Sequence, residues 1–241
     1  MMDELLVVYS MGKVGSTTIS KSLLESGKFC FDIHTLDREL LLSRLQQNVD
    51  AGTIPSTHIS QSQFLYYKFR STSKVKIITL IRDPFSRNIS AVFQNLQQSN
   101  GTPSLAQIQH LIERYDVPFA CNWIDREILK NTNIDLYDKP FSPQDKYSVI
   151  KEGQFEILTI RTDLDDRIKA GIISDFVQRP ITIQKHNAAE NKWYSELYQD
   201  FFDTGKLSKE WIESCLDCRI NSKFFTKEER LRNTEKAYAF L

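Results

Sequence analysis

The chain has 241 residues, 31 Lys+Arg against 31 Asp+Glu, a pI near 6.9 and 41% hydrophobic residues. A neutral balance gives no global field for nucleic acid or an anionic membrane, and four cysteines make no disulfide framework at this size. No apolar run reaches membrane-spanning length and no charged-then-apolar leader opens the chain, so the expected location is cytoplasmic.

Apolar runs alternate with amphipathic stretches, the pattern of a mostly parallel sheet covered by helices. Residues 5–10 read as the first strand and 16–27 as its helix. Residues 29–34 suit a second strand, with Asp37 capping a helix over 38–48. Thr53 to Ile59 reads as a short strand or extended turn, and Gln61 to Arg70 as a helix. Lys76 to Ile81 is the clearest buried strand, and Pro84 at an N1 position starts a helix to about Leu96. Gln98 to Pro103 is a polar loop, and 104–131 is helical in pattern. Tyr147–Lys151 and Glu156–Arg161 read as a strand pair turning at Glu152-Gly153, after which Asp163 caps a helix. From Ala188 onward the chain reads as an aromatic-rich helical cap on a single domain, with a 1–166 core and a mainly helical 167–241.

Met11-Gly12-Lys13-Val14-Gly15-Ser16-Thr17-Thr18 joins the first strand to its helix. Glycines let the backbone approach an anion, successive amides point at it and the helix N-terminus adds positive dipole, which suits phosphate or sulfate. Lys13 comes two residues before Gly15, whereas a nucleoside-triphosphate loop places lysine directly after its second glycine. An ATP-dependent phosphotransferase, the rival enzyme reading, would need a lysine after Gly15 and a magnesium-binding acid on a nearby strand, and neither is evident. Arg82 at a strand's carboxyl end and Ser90 two turns into the next helix suit one phosphate. The plain structural alternative has Asp83 as a helix cap, Arg82 in an ion pair and Ser90 bonded back to a helix carbonyl. His58, in Ser56-Thr57-His58-Ile59-Ser60, is the first candidate base, His34 the runner-up, and Asp32 or Glu39 acidic alternatives. Cys215 and Cys218 form a C-x-x-C without a second pair, and no metal site is expected from them.

The lysine-glycine-hydroxyl loop, taken with Arg82-Asp83-Pro84-x-x-Arg87-x-x-Ser90-x-x-Phe93, resembles the sulfotransferases that use 3′-phosphoadenosine 5′-phosphosulfate (PAPS). The resemblance covers roughly residues 5–166 and implies a P-loop-type three-layer α/β/α fold. It implies that Lys13, Val14, Gly15, Ser16, Thr17 and Thr18 surround the 5′-phosphosulfate, and that Arg82 and Ser90 hold the 3′-phosphate. Catalysis would rest on His58 and Lys13, with PAPS as co-substrate, PAP as product and no metal. Leu158-Thr159-Ile160-Arg161-Thr162-Asp163-Leu164 is similar to a late strand of that family, with Thr162 in an aromatic's place. The chain departs from the pattern at Ser56, where many cytosolic members carry lysine, and lacks their C-terminal Arg-Lys-Gly element. Asn191-Lys192-Trp193-Tyr194-Ser195 is similar to the NKWYS family, which is associated with capsular polysaccharide synthesis. This points to a carbohydrate hydroxyl acceptor, with a non-catalytic nucleotide-binding protein of polysaccharide biosynthesis as the non-enzyme alternative. Lys185, His186, Asn187 and Lys192 are open between the adenine side and the acceptor side.

Overall fold

Leu5 to Tyr9 are all buried, as an unbroken apolar run must be when a strand is covered on both faces. In the computed structural model, which describes residues 4–96, 102–184 and 192–241, this run is β1 (Glu4–Tyr9). It pairs in parallel with β2 (Phe31–Ile33) on one side and β3 (Lys74–Ile81) on the other. The hairpin β4 (Tyr147–Glu152) and β5 (Phe155–Arg161) completes the sheet, with β5 parallel to β3 and β4 antiparallel at the edge. The strand order is β2-β1-β3-β5-β4. The chain steps to opposite sides of β1 after its first two connections, which makes the carboxyl end of β1 a topological switch point, where open α/β sheets form ligand crevices.

The chain divides into two compact units. The first comprises Met1–Ile81, Trp123–Ser142 and Lys146–His186 and holds the whole sheet. Its helices are α1 (Ser16–Glu25), α2 (Arg38–Asp50), α3 (Thr57–Lys68), the short α7 (Lys130–Thr132) and α8 (Asp166–Val177), with a π-helical turn at Ile124–Leu129. Ile19 and Leu23 of α1, four residues apart, join Ile173 and Phe176 of α8 over Val8, Ile78, Leu80, Leu158 and Ile160. Each such fully buried aliphatic side chain contributes about 2 kcal/mol. On the opposite face Phe69 meets Tyr9 edge-on at 6.0 Å and Phe155 at 5.5 Å. Helices therefore cover both faces, as a buried parallel sheet requires.

Three local expectations change. The stretch Thr53 to Ile59 forms no strand, because α3 begins at Thr57 and takes His58 into its first turn. The cap of α8 is Asp165, which accepts from the amides of Arg167 and Ile168; Asp163 is instead drawn to Arg161 (2.6 and 2.9 Å) and Lys146 (2.9 Å). The 104–131 region is broken into shorter helices, with the π-helical turn near its end. The polar loop expected over Gln98 to Pro103 falls largely outside the described residues.

The second unit comprises Arg82–Asn122, Pro143–Asp145 and Asn187–Leu241. It holds α4 (Pro84–Asn95), α5 (Leu105–Glu113), α6 (Val117–Cys121), α9 (Ser195–Thr204), α10 (Lys209–Leu216), α11 (Arg219–Phe224) and α12 (Lys227–Tyr238). Asp83 caps α4 by accepting from the Ser86 amide, with Pro84 at its start as the sequence predicts. The core gathers Phe85, Phe93, Phe201, Trp211, Ile212 and Phe240. The aromatics after residue 193 accordingly serve packing, with Tyr194 and Phe201 buried among them.

Candidate active site

The loop leaving β1 begins by tying itself to its neighbours. The Ser10 hydroxyl accepts the Leu80 amide, and its own amide donates to the Ile33 carbonyl. Two residues then take left-handed backbone, Lys13 at φ 72° and Gly15 at φ 81°. For glycine this is free, whereas for lysine it costs roughly 1–2 kcal/mol. Such alternation turns successive amides toward a common point and makes a concavity suited to an anion. Helix α1 starts there with no acidic residue of its own in the first turn and no side-chain cap on its amides, and the nearby carboxylate, Asp32 of β2, is engaged by the hydroxyls of Ser16 and Ser20. The Val14 side chain is buried in the core cluster with Val8, Ile19 and Leu23, which leaves its backbone to face the loop's concavity. The Ser16 hydroxyl is turned to Asp32, while Thr17 and Thr18 are half-buried.

Asp32 and His34 leave the end of β2 beside this loop. A side-chain carbon placed on Gly12 would stand 3.8 Å from His34 Nε2. The Nδ1–H of His34 faces the Ser10 carbonyl at 2.8 Å, and the His34 carbonyl accepts from Trp123 Nε1 at 2.8 Å. His58, delivered by α3, stacks on His34 with ring centroids 4.3 Å apart and planes inclined by 25°. Its Nδ1 faces the Asp32 carbonyl at 2.9 Å and lies 3.8 Å from Asp32 Oδ1. The nitrogen set against a carbonyl must carry the proton, which leaves Nε2 of each ring with its lone pair. Asp32 Oδ2 accepts from Ser20 Oγ at 3.0 Å, and Asp32 Oδ1 is buried without a hydrogen-bond partner.

Burial holds the His34 imidazole down to about 4, with His58 and Lys13 adding repulsion and the Ser10 carbonyl opposing. Burial pushes the Asp32 carboxyl up, against the pull of His58, Ser20 and Ser16. The structure thus brings together three of the sequence candidates, His58, His34 and Asp32, whereas Glu39 is exposed on α2.

Sequence reasoning missed the group that anchors this corner. Glu127, fully buried on the π-helical turn, accepts from Tyr9 Oη (2.6 Å), Thr35 Oγ1 (2.8 Å) and the Leu36 amide (2.9 Å). It thereby fixes the two residues after His34. Its signal was present: Trp123, Ile124, Glu127 and Ile128 recur at helical spacing, placing a carboxylate on an apolar face. Burial raises its pKa, opposed by those hydrogen bonds.

In the second unit, Arg82 is half-buried at the chain's entry to α4. Ser90 Oγ donates to the Ser86 carbonyl (2.9 Å) and meets Tyr198 Oη (3.2 Å), the back-bonded arrangement that was its structural alternative. Arg87 is buried on Asn88 and Tyr115. Cys215 is buried in the core, and the Cys218 thiol donates to the Cys121 carbonyl. Of the residues left open between adenine and acceptor, Lys185, His186 and Asn187 lie outside the described residues, as does Asn191; Lys192 closes the turn into α9 through its carbonyl. No described helix is long and apolar enough to cross a membrane.

A family model described as "NKWYS: putative capsular polysaccharide synthesis protein" matches residues 106–227, just over half the chain. The match includes Trp123 and Glu127 but not the glycine loop, His34, His58 or Arg82. No curated protein and no solved structure matches.

Proposed function

The chain belongs to the NKWYS family, and on that premise we propose that it is a sulfotransferase moving a sulfuryl group from PAPS to a carbohydrate hydroxyl in polysaccharide biosynthesis. The observation that carries this reading is the pairing of a strained lysine-glycine loop at the switch point with two imidazoles that each offer a free lone pair. The loop amides, the start of α1 and Lys13 fit a doubly charged anion in chemistry. His58 is the base in this reading. Its side chain is 34% exposed, and its Nδ1–H is held by the Asp32 carbonyl. His34, held near 4, is too weak a base at neutral pH.

The acceptor oxygen attacks sulfur, its proton passes to His58 Nε2, and the bond from sulfur to the bridging phosphate oxygen breaks. Charge gathers on that leaving oxygen. Lys13, carried on the loop by its left-handed backbone, supplies the positive charge that stabilises it. Arg82 and Ser90 enter on the sequence resemblance, as partners of the 3′-phosphate. The family's link to capsular polysaccharide supports a carbohydrate acceptor.

The test is calorimetric binding of PAP against ADP and ATP, followed by transfer assays with hydroxyl acceptors. Preference for PAP, weakened by Arg82→Ala, together with PAPS-dependent transfer lost in His58→Ala, is the expected result. Tight ATP–Mg²⁺ binding without PAP affinity would overturn the reading in favour of a phosphotransferase. PAP binding with no transfer to any acceptor would favour a nucleotide-binding protein.

A further inference from the structure

Asp32, His34 and His58 each offer a ligand atom, all within 4.8 Å of one another. Proximity alone would mean little, but the surroundings of the three are those of metal ligands. Ligating histidines characteristically donate the other ring N–H to a carbonyl or carboxylate, which fixes the tautomer. Both imidazoles do so here, His34 to the Ser10 carbonyl and His58 to the Asp32 carbonyl. Ligating carboxylates are in turn oriented by hydrogen bonds. Ser20 holds Asp32 Oδ2 and the Ser16 hydroxyl is turned to the same carboxylate, while Oδ1 is buried with no hydrogen-bond partner on a residue only 7% exposed. An orphaned buried carboxylate oxygen is costly and calls for a cation or donor.

We propose that Asp32, His34 and His58 form a site for a divalent transition-metal ion of zinc's class. Two imidazoles and one carboxylate are a donor set for such ions, with a further position open to water. Imidazole lone pairs lie in the ring plane, so two rings inclined by only 25° cannot both point at one ion. Binding therefore splays the stack, and the 34% exposure of His58 allows its ring to be the one that turns. One consequence rests on the transferase reading: the ion takes the lone pair that His58 needs for the acceptor proton, so the loaded protein does not transfer and a chelator restores it.

The test uses the full chain stripped of metal, with neither nucleotide nor acceptor present, so that it stands apart from sulfuryl transfer. Co²⁺ is titrated and followed by visible absorption, and Zn²⁺ by calorimetry. One ion per chain with visible d–d bands is the expected result. His58→Gln and Asp32→Asn each abolish saturable binding, and Ser20→Ala weakens it by about 10–100-fold. Circular dichroism checks that each variant folds, and the half-exposed His58 carries the decision if Asp32→Asn does not. No saturable binding by the wild type, undiminished binding by folded His58→Gln, or an intense thiolate charge-transfer band tracing the ion to the cysteines would each overturn the proposal. Saturable binding in a chain that never binds PAP leaves this site standing and removes the transferase reading.

Discussion

Acidification should destabilise this protein through His34 well before its carboxylates titrate. The ring is held at about 4 in the fold against 6.5 for a free histidine, chiefly by burial and then by the stacked His58. A depressed histidine contributes stability in full above its unfolded value and loses it as pH falls toward the folded one. The loss therefore runs from about pH 6.5 down to about 4. Linkage over those two values gives a cost of about 2 kcal/mol between pH 8 and pH 5, rising to about 3 kcal/mol below pH 4. Asp32, with a raised pKa, works in the opposite sense, because its neutral form is favoured in the fold and its contribution declines as pH rises. The comparison that isolates His34 is therefore wild type against His34→Gln, which keeps a donor for the Ser10 carbonyl. Urea unfolding of both, at half-unit steps from pH 8 to pH 5 with a chelator present, should show the wild type losing about 2 kcal/mol more than the variant. Parallel curves would refute the reasoning, since they would mean that the stacked ring protonates as easily in the fold as in the unfolded chain.

Lys13→Gly removes the charge and relieves a left-handed lysine, so thermal unfolding should stay within about 1 kcal/mol of wild type. PAPS-dependent turnover of the same variant should fall about 10²–10³-fold, and unchanged turnover would remove Lys13 from the chemistry. Glu127→Ala strips the acceptor from Tyr9, Thr35 and the Leu36 amide and should cost on the order of 3 kcal/mol in urea unfolding. A loss under about 1 kcal/mol would show that these donors find other partners. Gly205 donates its amide to the Phe201 carbonyl at the end of α9, and a methyl group there would overlap that carbonyl and the Phe201 ring. Gly205→Ala should therefore lower stability by about 1–3 kcal/mol, and an unchanged melting temperature would mean that the turn shifts freely.

What was legible in the sequence is what is local. The buried run of β1, the caps at Asp37 and Asp83, Pro84 at the start of α4 and the hairpin turning at Gly153 all follow from side-chain periodicity and backbone preference within a few residues. The glycine positions of the loop are of the same kind, Gly15 taking the left-handed backbone open to glycine, whereas Lys13 takes it against its own preference. Even so, local signals misled where two acidic residues competed for one role. Arg161 and Lys146 drew Asp163 away and left the cap to Asp165.

The meeting of groups distant in the chain was decided only by the fold. Parallel pairing of β2 with β1 sets Asp32 and His34 beside the loop, and α3 then lays His58 across them from 26 residues beyond Asp32. Glu127 reaches Tyr9 across 118 residues to hold that corner. Burial, which pushes His34 down and leaves Asp32 Oδ1 unmatched, is a property of the assembled layers and has no counterpart in any short stretch of sequence. The sequence therefore determined which chemical groups the protein has and the local backbone that carries them. The tertiary structure decided which of them share one desolvated corner, because desolvation and lone-pair direction exist only once the chain has packed.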